Sequence, residues 1–279
     1  MKLGIDIGSS DLKANTGRTI PSKIKEGKYI NKAVELVHER KTWTIGDGIR
    51  DVEINKADRG TNLLFIYAMI GLISEDVENE IAVGLPIGQY QKEKERYRNF
   101  IMENHYADIE LNGIRKIINI TNCKVCAEGL SAVDPSYNGI LLDIGGRTTD
   151  IAILENKHIV NPISKPKGTL NLYSTITHSI NSKYGLDLVE DDAERIIRTG
   201  LKIDGEPQNI DFVYNILATY TEDIINTLKL EYSLRTNDLI IIGGGGSLFY
   251  KSIKKRVKQA RLIENSIFAN AEGFRRALN

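Results

Sequence analysis

Three short glycine turns carry residue types that could hold a phosphorylated ligand. The first reads Asp6-Ile7-Gly8-Ser9-Ser10-Asp11-Leu12-Lys13. Gly8 permits a tight turn and close backbone approach, the amides of Ser9 and Ser10 can face phosphate oxygens, and Lys13 can project across the turn to the same anion. Asp6, at a strand end, could hold magnesium through water. Taken alone, these residues equally make an ordinary hairpin in which Gly and Ser are only turn formers.

The second turn, Leu141-Leu142-Asp143-Ile144-Gly145-Gly146-Arg147-Thr148-Thr149-Asp150, repeats the arrangement: apolar strand, terminal Asp, glycine turn, hydroxyl and basic residues, then a second strand. Two such hairpins facing each other would clamp a polyphosphate from both sides, with Asp6 and Asp143 near one metal ion. Arg147 would either add a phosphate contact or face solvent. The third turn, Gly243-Gly244-Gly245-Gly246, follows Ile240-Ile241-Ile242 and precedes Ser247-Leu248. Four glycines remove the side chains that would keep a flat ring from the backbone, although a bland flexible turn has the same composition. The spacing is neither the dinucleotide fingerprint nor a P-loop, because no G-x-x-x-x-G-K-[ST] occurs.

These turns need strands and helices to position them. Leu3, Ile5 and Ile7 alternate into the first turn and Leu12 to Thr16 leave it, which predicts strand, turn, strand. Residues 19–57 contain short β-prone pieces (Tyr29 to Ile30, Lys41 to Ile45) among Gly27, Gly46 and Gly48, and are expected to form a small strand-rich insertion. Gly60 to Ser74 has a helical pattern, and Glu80 to Leu85 is a buried-strand signal stopped by Pro86. Residues 91–104 form a charged helix, and Ile109 to Ile120 a hairpin about Asn112-Gly113. The second half restarts the grammar with strands Gly139 to Ile144 and Thr148 to Leu154. Helices follow over Gly168 to Tyr184, Glu190 to Arg198 and Ile210 to Tyr232, with a loop around Asp204 to Pro207. Strand Leu239 to Ile242, a helix through about Lys258 and a final helix Ala269 to Leu278 complete an α/β chain in two similar halves.

Composition narrows the function classes. The chain has 279 residues, 41% hydrophobic and 27% charged, which suits a globular protein of about two domains rather than a disordered one. Lys plus Arg and Asp plus Glu are both 37, so no global field favours nucleic acid or anionic lipid. The most apolar stretch, Leu63 to Ile73, is well short of the roughly 18 residues of a membrane span. The polar N-terminal residues lack a signal-peptide core, so a cytoplasmic protein is expected. Cys123 and Cys126 form one C-x-x-C pair with no second pair; in a strand, an offset of three points them to opposite faces, as for structural cysteines. His38, His105, His158 and His178 have no ligand spacing.

The ordered set Asp6…Lys13, Asp143-x-Gly145-Gly146-x-Thr148-Thr149 and Gly243-Gly244-Gly245 resembles the phosphate-1, phosphate-2 and adenosine motifs of the actin, sugar-kinase and heat-shock-chaperone ATPase superfamily. Within it the chain is most similar to the ParM-type bacterial actins that segregate plasmids. Supporting segments are Gly84-Leu85-Pro86-Ile87-Gly88-Gln89-Tyr90, Glu110-Leu111-Asn112-Gly113, Val125-Cys126-Ala127-Glu128-Gly129 and Lys167-Gly168-Thr169-Leu170-Asn171-Leu172.

The resemblance implies an actin-like fold of two RNase-H-like halves closing on a nucleotide cleft. The first would span 1–130, with the C-terminal helix of about 265–279 packing back onto it; the second would span 131–264, with a small helical subdomain at about 185–209. It implies that Glu128 positions the lytic water, that Asp6 and Asp143 organise Mg2+, and that Gly8, Ser9, Ser10, Lys13, Gly145, Gly146, Arg147, Thr148 and Thr149 bind phosphates. Glu194 would touch ribose or adenine, and Gly243, Gly244, Gly245 and Gly246 would receive adenosine. Without the resemblance, Glu128 also reads as a carboxylate complementing a helix dipole. ATP is the implied nucleotide, with GTP open. The implied partners are further copies of the chain in a filament and a DNA-binding adaptor on a centromere-like plasmid site, with no direct nucleic-acid or membrane contact. Rival readings are a small-molecule kinase, for which Asp134 is the available base, an iron-sulfur activator of acyl-CoA dehydratases, a non-catalytic ATP-binding scaffold, and another bacterial cytoskeletal filament.

Overall fold

A computed structural model describes residues 1–28 and 33–279. The Tyr29 to Ile30 strand piece lies outside the described residues. The first half contains β1 (Lys2–Ile7), β2 (Asp11–Ala14), β3 (Thr19–Pro21), β4 (Ile24–Glu26), β5 (Val34–His38), β6 (Lys41–Ile45), α1 (Asn62–Ile73), β7 (Glu78–Leu85), α2 (Ile87–Glu103), β8 (Tyr106–Leu111) and β9 (Ile114–Ala127). The second contains β10 (Gly139–Ile144), β11 (Thr149–Glu155), β12 (His158–Lys165), α3 (Thr169–Tyr184), α4 (Glu190–Thr199), β13 (Lys202–Ile203), β14 (Glu206–Pro207), α5 (Asp211–Glu231), β15 (Leu239–Ile242), α6 (Gly246–Arg256) and β16 (Ala260–Leu262). Helix α7 (Ala269–Arg276) ends the chain.

The halves repeat one topology. In the first, β2 is antiparallel to β1 and to β3, while β7 runs parallel to β1 and to β9. In the second, β11 is antiparallel to β10 and to β12, while β15 runs parallel to β10 and to β16. Each sheet therefore carries the order 3-2-1-4-5, with helices making the parallel crossovers. Beyond β9 the first sheet continues through β8, β5, β6 and β4. Strands β4, β5 and β6 of the 19–57 insertion thus extend the main sheet, while β3 belongs to its repeated core.

The central strands are apolar on both faces because helices cover both. Ile140, Leu142 and Ile144 of β10 pack with α3, α5 and α6, whereas Leu141 faces Ile87, Val133 and Ala269. Helix α7 crosses from the end of the second half to lie against β1 and β7. Its approach depends on missing side chains: a Cβ at Gly4 would stand 1.9 Å from the Ala271 carbonyl oxygen, and one at Gly84 2.1 Å from the Phe274 ring.

Three elements depart from the sequence expectation. Strand β12 is an edge strand with mostly exposed or half-buried residues, so it carries little apolar alternation. Strand β16 is only three residues long. The loop expected around Asp204 to Pro207 is a tight hairpin of β13 and β14, turning on Asp204 and Gly205 at φ 52° and 87°. Among the described residues no helix is long and apolar enough to cross a membrane.

Candidate functional site

The repeated hairpins meet at the cleft between the halves. Gly146 lies so close to the first turn that a Cβ there would come within 2.9 Å of the Ser10 amide nitrogen. The second turn is in turn fixed by α3, whose first amides, Thr169 and Leu170, donate to the carbonyls of Gly145 and Gly146 at 3.0 and 2.9 Å. Asp6, Gly8, Ser9, Ser10, Lys13, Gly145, Gly146, Arg147 and Thr148 line this one cleft, together with Glu128, Asp143, Glu194, Gly243 and Gly244.

The strand registers explain the charges. Asp6 stands opposite Lys13 across β1 and β2, and the repeat places Asp143 opposite Asp150 across β10 and β11. The first pair is an ion pair at 3.6 Å. The second is like-charged and therefore repulsive. Burial, reinforced by Asp150 and Glu128, pushes the Asp143 carboxyl up to about 7. Burial also raises Asp150, against the lowering effect of the Ser164 and Thr148 hydroxyls; its Oδ2 accepts from Thr148 Oγ1 at 2.8 Å, while its buried Oδ1 has no partner in good hydrogen-bonding geometry. This orphaned oxygen facing a second carboxylate is a donor set that a hard cation would satisfy. Among the described residues, however, no group of three His, Cys, Asp or Glu side chains forms a ready cage. Phosphate oxygens and water would have to complete the coordination.

Glu128 follows β9 and is held by Lys56, an ion pair not anticipated from sequence. Lys56 Nζ lies 2.5 Å from Glu128 Oε1 and 3.8 Å from Asp6 Oδ1. Burial raises the Glu128 carboxyl, against the lowering effect of Lys56. For Lys13, burial is outweighed by Asp6, Asp11, Asp143 and Glu128, so the ammonium stays above its ordinary range. Arg59, from the same segment as Lys56, donates to Ser9 Oγ at 3.1 Å and to the Glu53 carbonyl. Arg147 faces neither solvent nor its own turn alone: it reaches across the cleft to the carbonyls of Asp51 and Glu53. Asn270 of α7 donates to Asp143 Oδ2 at 3.1 Å and accepts from the Gly129 amide at 2.8 Å.

Several expected residues fall elsewhere. Thr149 points away from the cleft, its hydroxyl donating to the Lys167 carbonyl, because strand alternation gives the cleft to Thr148 and Asp150. Gly245 and Gly246 are packing positions: a Cβ at Gly245 would meet Ile144 at 2.4 Å, and one at Gly246 would meet Leu262 and Ile241. Gly243 is required in the left-handed region at φ 87°, and a Cβ there would press on Asp143. Glu194 lines the cleft beside Tyr173, a residue sequence analysis missed. Asp134 is exposed and caps Ser136 instead of lining the cleft. Cys123 is buried in the first core and Cys126 under α7, on opposite sides of β9.

Lys56, Arg59, Asn270 and Asp150 are, with Tyr173, cleft residues that sequence analysis missed. Asp150 could have been found from the repeat, since it occupies the place of Lys13. Asn270 stands out as a polar residue among Ala269, Ala271 and Gly273. Lys56 and Arg59 lie in a segment without periodicity.

Residues 4–130 match the family model "Actin like proteins N terminal domain", and residues 141–255 match "Archaeal actin homologue MreB-like, C-terminal". No curated protein matches the sequence. Among solved structures, an archaeal actin homologue in complex with ADP superposes with a TM-score of 0.84 at 20% identity, covering 99% of this chain and 98% of that one. A 15-stranded ParM filament from Clostridium botulinum gives 0.80 at 22%, covering 99% and 98%. A Bacillus thuringiensis ParM with AMPPNP gives 0.71 at 16%, covering 99% and 97%. These likenesses establish an actin-like α/β fold of two halves about a cleft, and the neighbours include a ParM filament.

Proposed function

This chain is an actin-like protein, and from that premise we propose that it hydrolyses ATP in the cleft and assembles into nucleotide-dependent filaments. The observation that carries the reading is the convergence of both hairpin turns, Glu128 and the Asp143–Asp150 pair on one cleft. Backbone amides of the two turns would bind the phosphate chain, with Lys13 and Arg59 supplying charge. Glu194, Tyr173, Gly243 and Gly244 would border the nucleoside. Asp143, Asp150 and Asp6 would hold Mg2+, partly through water; when bound, it neutralises phosphate charge.

Glu128 would orient a water in line with the γ-phosphate. The water oxygen bonds to phosphorus as the bond to the βγ-bridging oxygen breaks, ADP leaves with that electron pair, and the water's proton passes through the carboxylate to solvent or phosphate. Hydrolysis would weaken subunit contacts by shifting the halves' closure equilibrium. Plasmid segregation through a DNA-binding adaptor is the cellular role that fits best, given the ParM neighbours and the balanced charge. A cytoplasmic location follows from that role.

Right-angle light scattering with Mg-ATP, Mg-GTP, Mg-ADP and no nucleotide, followed by phosphate release in the same cuvette, tests this. A triphosphate-dependent rise that decays as phosphate appears is the expected result. A flat trace with bound nucleotide would remove the filament reading, and turnover of a sugar without assembly would replace it with a kinase.

A further inference from the structure

Lys56 has no role in the reading above, yet it is 3% exposed and lines the cleft. Its position is built. The segment preceding α1 makes a short 3₁₀ turn, Lys56–Asp58, capped by Asn55, whose side chain accepts from the Ala57 amide. The Lys56 amide donates to Gln89 Oε1 of α2 at 2.9 Å, and its carbonyl accepts from Asn62 Nδ2 of α1 at 2.7 Å. Two helices therefore pin the backbone, while the side chain projects to Glu128 and Asp6.

Resting on the ATPase reading, we propose that Lys56 is a sensor of the terminal phosphate, exchanging the Glu128 carboxylate for the γ-phosphate when a nucleoside triphosphate binds. In the structure, one oxygen of Glu128 is engaged by the ammonium at 2.5 Å and is not free to hold a water. A triphosphate laid between the two turns brings a terminal group, with more charge and more acceptor oxygens, into the same carboxylate-lined space. A desolvated ammonium interacts strongly with such a group. Its transfer would release Glu128 to orient the lytic water. A diphosphate lacks the terminal group, so Lys56 would stay on Glu128 and the site would remain idle. Binding of the right nucleotide and readiness of the catalytic carboxylate are thereby coupled through one side chain.

The test is the affinity of a non-hydrolysable ATP analogue against that of ADP, with magnesium, for wild type, Lys56→Met and Lys56→Arg. Loss of one charge-assisted contact is expected to weaken the triphosphate about tenfold or more in Lys56→Met, leaving ADP within about twofold. Lys56→Arg should restore the preference, which a merely structural role would not produce. Removing Lys56 leaves Glu128 buried and unpaired, so the double variant Lys56→Met with Glu128→Gln provides a folded background for the same comparison. An unchanged ratio of triphosphate to ADP affinity, or equal loss of both, overturns the sensor while leaving the ATPase reading intact. Failure of the wild type to bind either nucleotide overturns both.

Discussion

Glu128 and Asp150 illustrate how neighbouring carboxylates acquire different tasks in one cleft. Glu128 is neutralised by Lys56, whereas Asp150 faces Asp143 across the strands with an oxygen left without a partner. The first arrangement suits a group that is released to handle water; the second suits a group awaiting a cation. Glu128→Gln keeps the shape and still accepts a hydrogen bond from Lys56, but it cannot take a proton. Phosphate release in a single turnover should therefore fall about 100-fold or more, while binding of ATP measured by titration persists. Retention of wild-type turnover would assign the water to another residue.

At the scale of elements, the cleft is closed by contacts between the 19–57 insertion and α4. Asp191 of α4 is paired with Lys23 and, at 3.4 Å, with Arg50. One turn further along the same helix, Glu194 lines the cleft. Opening the cleft must break this latch along with the Arg147 contacts to Asp51 and Glu53. Partly exposed ion pairs contribute at most about 1 kcal/mol, so Asp191→Ala should speed nucleotide release by up to roughly fivefold with almost no change in melting temperature. Stopped-flow displacement of a fluorescent nucleotide measures this, and added salt should mimic the variant. A release rate insensitive to both would mean that opening does not pass through Asp191.

For the whole molecule, α7 fastens the second half to the first. Phe274 is fully buried with Ala82, Cys126 and Leu278, over the space left by Gly84, and Asn270 one turn earlier bonds both Asp143 and the Gly129 amide. Truncating Phe274 to Ala removes a ring from a close-packed site and is expected to cost about 3–5 kcal/mol, read in denaturant titration. Because α7 also carries Asn270, nucleotide affinity should drop in the same variant under conditions where it is still folded. Stability lost without any loss of affinity would show the helix to be a fastening alone.

Much of this was local and therefore legible in the sequence. Period-two alternation, a terminal aspartate and glycine at the turn define both hairpins within ten residues each, and their repetition predicts two similar halves facing one ligand. The same alternation, applied strictly, places Asp150 rather than Thr149 in the cleft. What only the tertiary structure decided is which distant groups complete the site. Lys56 meets Glu128 across 72 residues and Asn270 meets Asp143 across 127. Those meetings depend on the 3-2-1-4-5 strand order and on a helix returning to the opposite half. Neither is written in any local period, because they follow from burial of apolar faces that lie far apart in the chain.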